Sequence, residues 1–139
     1  MRIYVDGVFD LFHYGHAEML GRVRSQFGPE AIICVGVCTD ADCITYKRAP
    51  IMNQGERIRS VQQCKYVDEV VLDAPWIITQ PFLTKYKIDY VCHDGTPYNA
   101  PGTEDVYAYV KSLGIFHHIP RTEGICTTEI IKRIISGSS

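Results

Sequence analysis

The sequence has no hydrophobic run of the length needed to cross a bilayer, and it opens directly on the strand-like RIYV instead of a basic, apolar leader. A cytoplasmic chain is therefore expected. Charge of one sign is also missing, since 14 basic residues against 16 acidic ones leave a formal net charge of -2. Nothing general is offered to nucleic acid or to an anionic membrane, so any nucleotide has to be held locally. The cysteines, Cys34, Cys38, Cys43, Cys64, Cys92 and Cys126, include no CxxC pair and no histidine at zinc spacing. They read as reduced thiols, several inside apolar runs as small core residues. There is no internal repeat, low-complexity segment or linker, and only one tryptophan. What remains, at 139 residues with 46% hydrophobic and 22% charged, is one globular domain long enough to bury a core unaided.

Short apolar runs alternate with helix-like segments from end to end. RIYV (2–5), AIICVGV (31–37), EVVL (69–72), DYVCH (89–93) and IFHHI (115–119) have the content of buried strands. Between the first two, Ala17, Leu20 and Val23 carry helical spacing. After a loop, Asn53 and Glu56 form a capping-box pattern opening a helix toward Tyr66. Further helices are expected over 79–85, from about Thr103 to Gly114 with a left-handed cap, and over the amphipathic TTEIIKRII. Near-continuous apolar strands separated by helices predict a single α/β domain with a doubly wound parallel sheet of about five strands. Ligands of such sheets bind beyond the strands' carboxyl ends. The loops after Val5, Val37, Leu72, His93 and Ile119 are thus the ones to search.

His13 and His16 fall in the first of these loops, at the start of the first helix, three residues apart and hence on one helical face. Gly15 between them removes a side chain where a ligand approaches the backbone, and a helix N-terminus offers free N–H groups to anions. A phosphate site is the reading that fits. Zinc fits less well, because HxxH lacks the i,i+4 spacing of helical zinc pairs and no third ligand is evident.

HYGH (13–16) after YVDGVFD, together with RTEGICTT (121–128), resembles the nucleotidyltransferases with an HxGH signature and, within them, the cytidylyltransferase family. HxGH alone is shared with adenylyltransferases and class I tRNA synthetases, whereas an RTEGI(S)TT segment before the last helix is narrower. ITYK (44–47), NQGER (53–57), KYVDEVV (65–71), APW (74–76) and HDGTPY (93–98) extend the likeness over essentially the whole chain. It is greatest to the phosphocholine branch.

The resemblance implies a Rossmann-like catalytic domain over 1–135 with a frayed tail at 136–139. It also implies attack of a phosphomonoester oxygen on the α-phosphorus of CTP, with release of pyrophosphate. His13, His16, Lys47 and Arg121 are its implied catalytic residues. Gly7, Phe9, Asp10, Gly15, Arg57, Thr122, Gly124, Ile125, Thr127 and Thr128 are its implied contacts with CTP. Mg2+ is implied as the companion of CTP, with no residue assigned as metal ligand. Cys126 stands where the family usually has serine, Lys65 where arginine is common, and Gly95 where an acidic residue is common.

A trimethylammonium donates no hydrogen bond, so its pocket is built from aromatic faces and a carboxylate. Asp6, Trp76 and Tyr98 fall at one predicted sheet edge, with Tyr107 able to complete a cage and Lys47 reaching the phosphate. Phosphocholine is the expected acceptor, with phosphoethanolamine or glycerol 3-phosphate as alternatives. A homodimer near the YVDEV region is expected from the family, with no membrane-binding segment in this chain. A non-catalytic nucleotide-binding domain and a dimerising scaffold are the readings of other classes.

Overall fold

The computed structural model describes residues 1–94 and 105–137. Its strands are β1 (Arg2–Gly7), β2 (Ile32–Cys38), β3 (Glu69–Ala74), β4 (Tyr90–His93) and β5 (Phe116–His118). Its helices are α1 (Tyr14–Phe27), α2 (Asp40–Tyr46), α3 (Gln54–Gln62), α4 (Gln80–Tyr86), α5 (Ala108–Ser112) and α6 (Thr127–Ser136). The strands pair in the order β3-β2-β1-β4-β5, all parallel, as the unbroken apolar runs predict.

Strand side chains alternate between faces, and the sheet therefore has two cores. On one face Ile3, Val5, Ile33, Val35 and Cys92 pack with Leu20 and Val23 of α1 and Val61 of α3. On the other, Tyr4, Cys34 and Val91 pack with Cys43 of α2, Phe82 and Leu83 of α4 and Val110 of α5. Burying a residue such as Leu20 contributes roughly 2 kcal/mol. Gly36 is set by this packing, because a Cβ there would lie 1.9 Å from the Tyr4 hydroxyl oxygen. Cys34, Cys38, Cys43 and Cys92 are buried, and none of the six cysteines is in a disulfide.

The chain runs from β1 outward through β2 and β3, then returns to place β4 on the other side of β1. The order reverses between β1 and β4, and a crevice opens beyond their carboxyl ends. The loops after Gly7 and His93 flank it.

Three expectations are corrected. The stretch after β2 holds α2, capped by the Thr39 hydroxyl accepting from Asp42 N–H at 3.1 Å, and not loop alone. The Asn53/Glu56 capping box is present, but α3 ends at Gln62 and not near Tyr66. Helix α5 starts at Ala108 because the Asp105 carboxylate accepts Tyr107 N–H at 2.9 Å, holding a turn ahead of the helix; Gly114 follows it at φ 72. Position 103 and Tyr98 lie outside the described residues.

Candidate active site

His13 is the N-cap of α1, and its Nδ1 accepts Gly15 N–H at 3.1 Å. His16, at the third helical position, reaches back so that its Nδ1 accepts His13 N–H at 3.1 Å. The pair thus forms a capping box in which imidazoles replace the usual hydroxyl and carboxylate. Each Nδ1 is an acceptor, so the proton of each neutral ring sits on Nε2. The rings stack with centroids 3.9 Å apart. Burial, reinforced by the neighbouring Arg121 cation, lowers the pKa of His13. Burial first and His13 second push His16 down to about 3. Two neutral N–H donors result. Gly15 is required between them, since a Cβ would lie 2.9 Å from both His13 Cε1 and Ile125 Cγ2.

The segment before α6 closes over this helix start. Thr127 Oγ1 donates to the Asp10 carbonyl at 2.8 Å and lies 3.3 Å from His13 Nε2, where it can accept. Cys126 is the N-cap of α6 without a side-chain capping bond, as expected of a thiol in that position. Arg121, Thr122, Ile125, Thr127 and Thr128 line the cavity with His13, Gly15 and His16. Gly124 turns the loop at φ 88 and is not among the lining residues.

Gly7, Phe9 and Asp10 also line the cavity. Phe9 and Leu11 hold positive φ of 56 and 50, a cost that non-glycine residues bear where surrounding packing dictates the path. The Asp10 carboxylate is engaged by Ile51 N–H at 2.8 Å and Met52 N–H at 2.9 Å. It ties down the loop that follows Lys47, which is a different task from the nucleotide contact expected of it. Lys47 caps the C-terminus of α2, lines the cavity, and has its pKa lowered by burial.

Arg57 does not line the cavity at all. It is wholly buried, donating to Met52 C=O at 3.0 Å and Val8 C=O at 2.9 Å and pairing with Asp40 at 2.6 Å. Direct contact with CTP is thereby replaced by a structural role that fastens the Lys47 loop to the β1–α1 loop. Arg57→Ala is expected to lower unfolding free energy by about 3 kcal/mol, because two carbonyls and a carboxylate lose their donor. Urea unfolding checks this, and a loss below about 1 kcal/mol would deny Arg57 that role.

Across the crevice, the Tyr107 hydroxyl donates to buried Asp6 at 2.8 Å, and the Tyr107 ring stacks on His93 at 4.7 Å. Burial raises the Asp6 pKa, while His93 and the Tyr107 hydrogen bond pull it back. Asp6, His93 and Asp94 line the cavity; Trp76 and Tyr107 do not. Trp76 belongs to the same apolar cluster as Tyr107 and stacks on Tyr46 at 4.9 Å, supporting the end of α2 next to Lys47. The sequence alone assigns no role to His93 or Asp94, although the HDGTPY block and the expected loop after His93 both point there.

Fold and site together define an α/β domain of the Rossmann-like type with its cavity at a helix N-terminus beyond the strand ends. Residues 4–133 match the family described as Cytidylyltransferase-like, and the chain belongs to that family. It is 47% identical over 135 residues to choline-phosphate cytidylyltransferase A of Homo sapiens, covering 97% of this chain and 36% of that protein. It is also 47% identical over 137 residues to choline-phosphate cytidylyltransferase 2 of Arabidopsis thaliana (97% and 45%). Against ethanolamine-phosphate cytidylyltransferase of Arabidopsis thaliana the identity is 40% over 139 residues (97% and 32%). The chain thus spans between about a third and a half of the length of these curated relatives. A lipopolysaccharide core biosynthesis protein from Thermoplasma volcanium shares the fold, with TM-score 0.69, 19% identity and coverage of 88% of this chain and 98% of that one.

Proposed function

We propose that this domain is a cytidylyltransferase that joins CTP and phosphocholine to give CDP-choline and pyrophosphate. The observation that carries the reading is the histidine capping box, which leaves Nε2–H as the donor of each neutral ring at the cavity, that of His13 beside Thr127 Oγ1. An oxygen of the phosphocholine phosphate forms a bond to the α-phosphorus, the bond from that phosphorus to the bridging oxygen breaks, and pyrophosphate leaves with the electron pair. The nucleophile is already an anion, so no base is needed. The histidines, Lys47 and Arg121 supply alignment and charge as negative charge builds on the phosphates. Thr122, Ile125, Thr127 and Thr128 hold the triphosphate side.

Among the described residues no group of three potential ligands could hold a metal. The Asp6 and Asp10 carboxylates at the cavity already have protein donors. Mg2+ enters with the nucleotide substrate, its ligands supplied by phosphates and water.

The names of the 47% identical relatives support choline as the alcohol, and the 40% identical relative keeps ethanolamine as the second arm of the test. Chemistry favours choline too, since the Asp6 carboxylate lines the cavity together with the His93 ring, and Tyr107 donates to that carboxylate. A cytoplasmic homodimer belongs to the same proposal. Support comes from the absence of a membrane-crossing helix among the described residues and from Leu72, 61% exposed on edge strand β3.

Pyrophosphate release with CTP and Mg2+ is expected with phosphocholine at least tenfold faster, about 1.4 kcal/mol in barrier, than with phosphoethanolamine or glycerol 3-phosphate. Preference for phosphoethanolamine would keep the reaction and discard the choline assignment. Absence of release with every acceptor would leave a nucleotide-binding domain.

A further inference from the structure

We propose that Arg22 is a positioning residue for the triphosphate side of the site, a role that rests on the cytidylyltransferase reading. Arg22 lies on α1, the helix whose N-terminus carries His13 and His16. It does not line the cavity. Its Nη1 donates to Thr122 Oγ1 at 2.7 Å and approaches the Pro120 carbonyl at 3.3 Å. Arg121 lies between the two residues it grips.

The direction of the first bond carries the argument. A threonine hydroxyl has one hydrogen and two lone pairs. With a guanidinium donating to one lone pair, the hydrogen must point away from that cation. Thr122 lines the cavity, so its O–H is left to donate to an oxyanion there. The contact also has the short length of a charge-assisted bond. Arg22 thus makes Thr122 a donor by occupying its acceptor side, much as Gly15 N–H and His13 N–H fix the protons of the two histidines on Nε2.

The second consequence is mechanical. The segment before α6 is tied to α1 at one end by Arg22 and at the other by Thr127, through Asp10 and His13. Ile125 sits against Gly15 between these ties. Removing Arg22 frees the end that bears Arg121 and leaves the other end fastened. The nucleotide's outer phosphates should feel the loss, and its base and α-phosphate should not.

Calorimetric titration of CTP and of CMP separates these effects without turnover. For Arg22→Ala the CTP Kd is expected to rise about five- to tenfold, with CMP changed less than about twofold. Arg22→Lys should recover part of the loss, because one charged donor remains. Thr122→Val should weaken CTP similarly, and the double variant should be no weaker than the worse single one. Arg22→Gln provides a second neutral variant if the alanine chain does not fold. Unchanged CTP affinity in the neutral variants, equal weakening of CTP and CMP, or multiplying effects of the two substitutions would each overturn the role of Arg22. Wild-type chain that bound neither nucleotide would remove the cytidylyltransferase reading and this proposal together. Wild-type binding with indifferent Arg22 variants would remove only the latter.

Discussion

His16→Ala is expected to cut kcat by about a hundredfold to a thousandfold while changing the KM for CTP only a few fold. The Nε2–H of His16 is placed to help most when charge builds on the phosphates, and a lost donor of this kind costs roughly 3–4 kcal/mol of barrier. The same ring caps the helix, since its Nδ1 accepts His13 N–H, so alanine also removes about 1 kcal/mol of stability. Glutamine separates the two tasks. It is a usual capping-box residue at this position and can accept the same N–H, but its amide does not reproduce the Nε2 position. His16→Gln should regain the stability while kcat remains at least about tenfold below wild type. Full recovery of both would reduce His16 to a cap.

Neutral histidines also set a pH dependence. The folded pKa of His13 is lowered and that of His16 falls to about 3, whereas an unfolded histidine titrates near 6.5. Between those values the unfolded chain binds more protons. Stability is therefore full above about pH 6.5 and declines as pH falls toward 3, with His16 contributing up to about 1.4 kcal/mol per pH unit. Urea midpoints at pH 7.5 and 5 should show the decline, and His16→Gln should reduce it.

The strands were legible because a sheet covered on both faces needs continuous apolar runs, and AIICVGV or DYVCH have no other obvious use. The place of the histidine pair at the start of the first helix was legible because HYGH directly follows the first apolar strand, whereas their capping box depends on side-chain geometry that spacing alone does not give. Helix α2 was not, for two reasons. Seven residues show too little periodicity, and its supports are distant: Asp40 pairs with Arg57, and Tyr46 stacks on Trp76. Arg57 was misread for a related reason. Nothing local distinguishes an arginine on a helix surface from one enclosed by three non-adjacent segments. Arg22 went unnoticed because its partner, Thr122, is a hundred residues away. Asp10 was placed correctly at the cavity, but its hydrogen-bond partners, Ile51 and Met52, come from a loop whose path the sequence does not reveal.

Asp6→Asn is expected to raise the KM for phosphocholine about 30- to 100-fold and that for CTP less than about twofold. Asparagine keeps the size of the side chain and an oxygen that can accept the Tyr107 hydroxyl, now 2.8 Å from Asp6. The hydrogen bond survives and only the charge is lost. A buried carboxylate facing a trimethylammonium, which offers no N–H, contributes by charge alone, and about 2–3 kcal/mol in a desolvated site corresponds to that range. A primary ammonium can still donate to the amide oxygen, so an ethanolamine enzyme would lose less. Tyr107→Phe gives the companion test. Burial already raises the Asp6 pKa and the tyrosine hydroxyl opposes that rise, so without the hydroxyl the carboxylate should stay protonated to higher pH. The KM for phosphocholine, which should fall as pH rises through the Asp6 pKa, should then fall at a higher pH in the phenylalanine variant. Asp6→Asn with an unchanged phosphocholine KM would place the cation elsewhere in the crevice and leave Asp6 as a partner of Tyr107 alone.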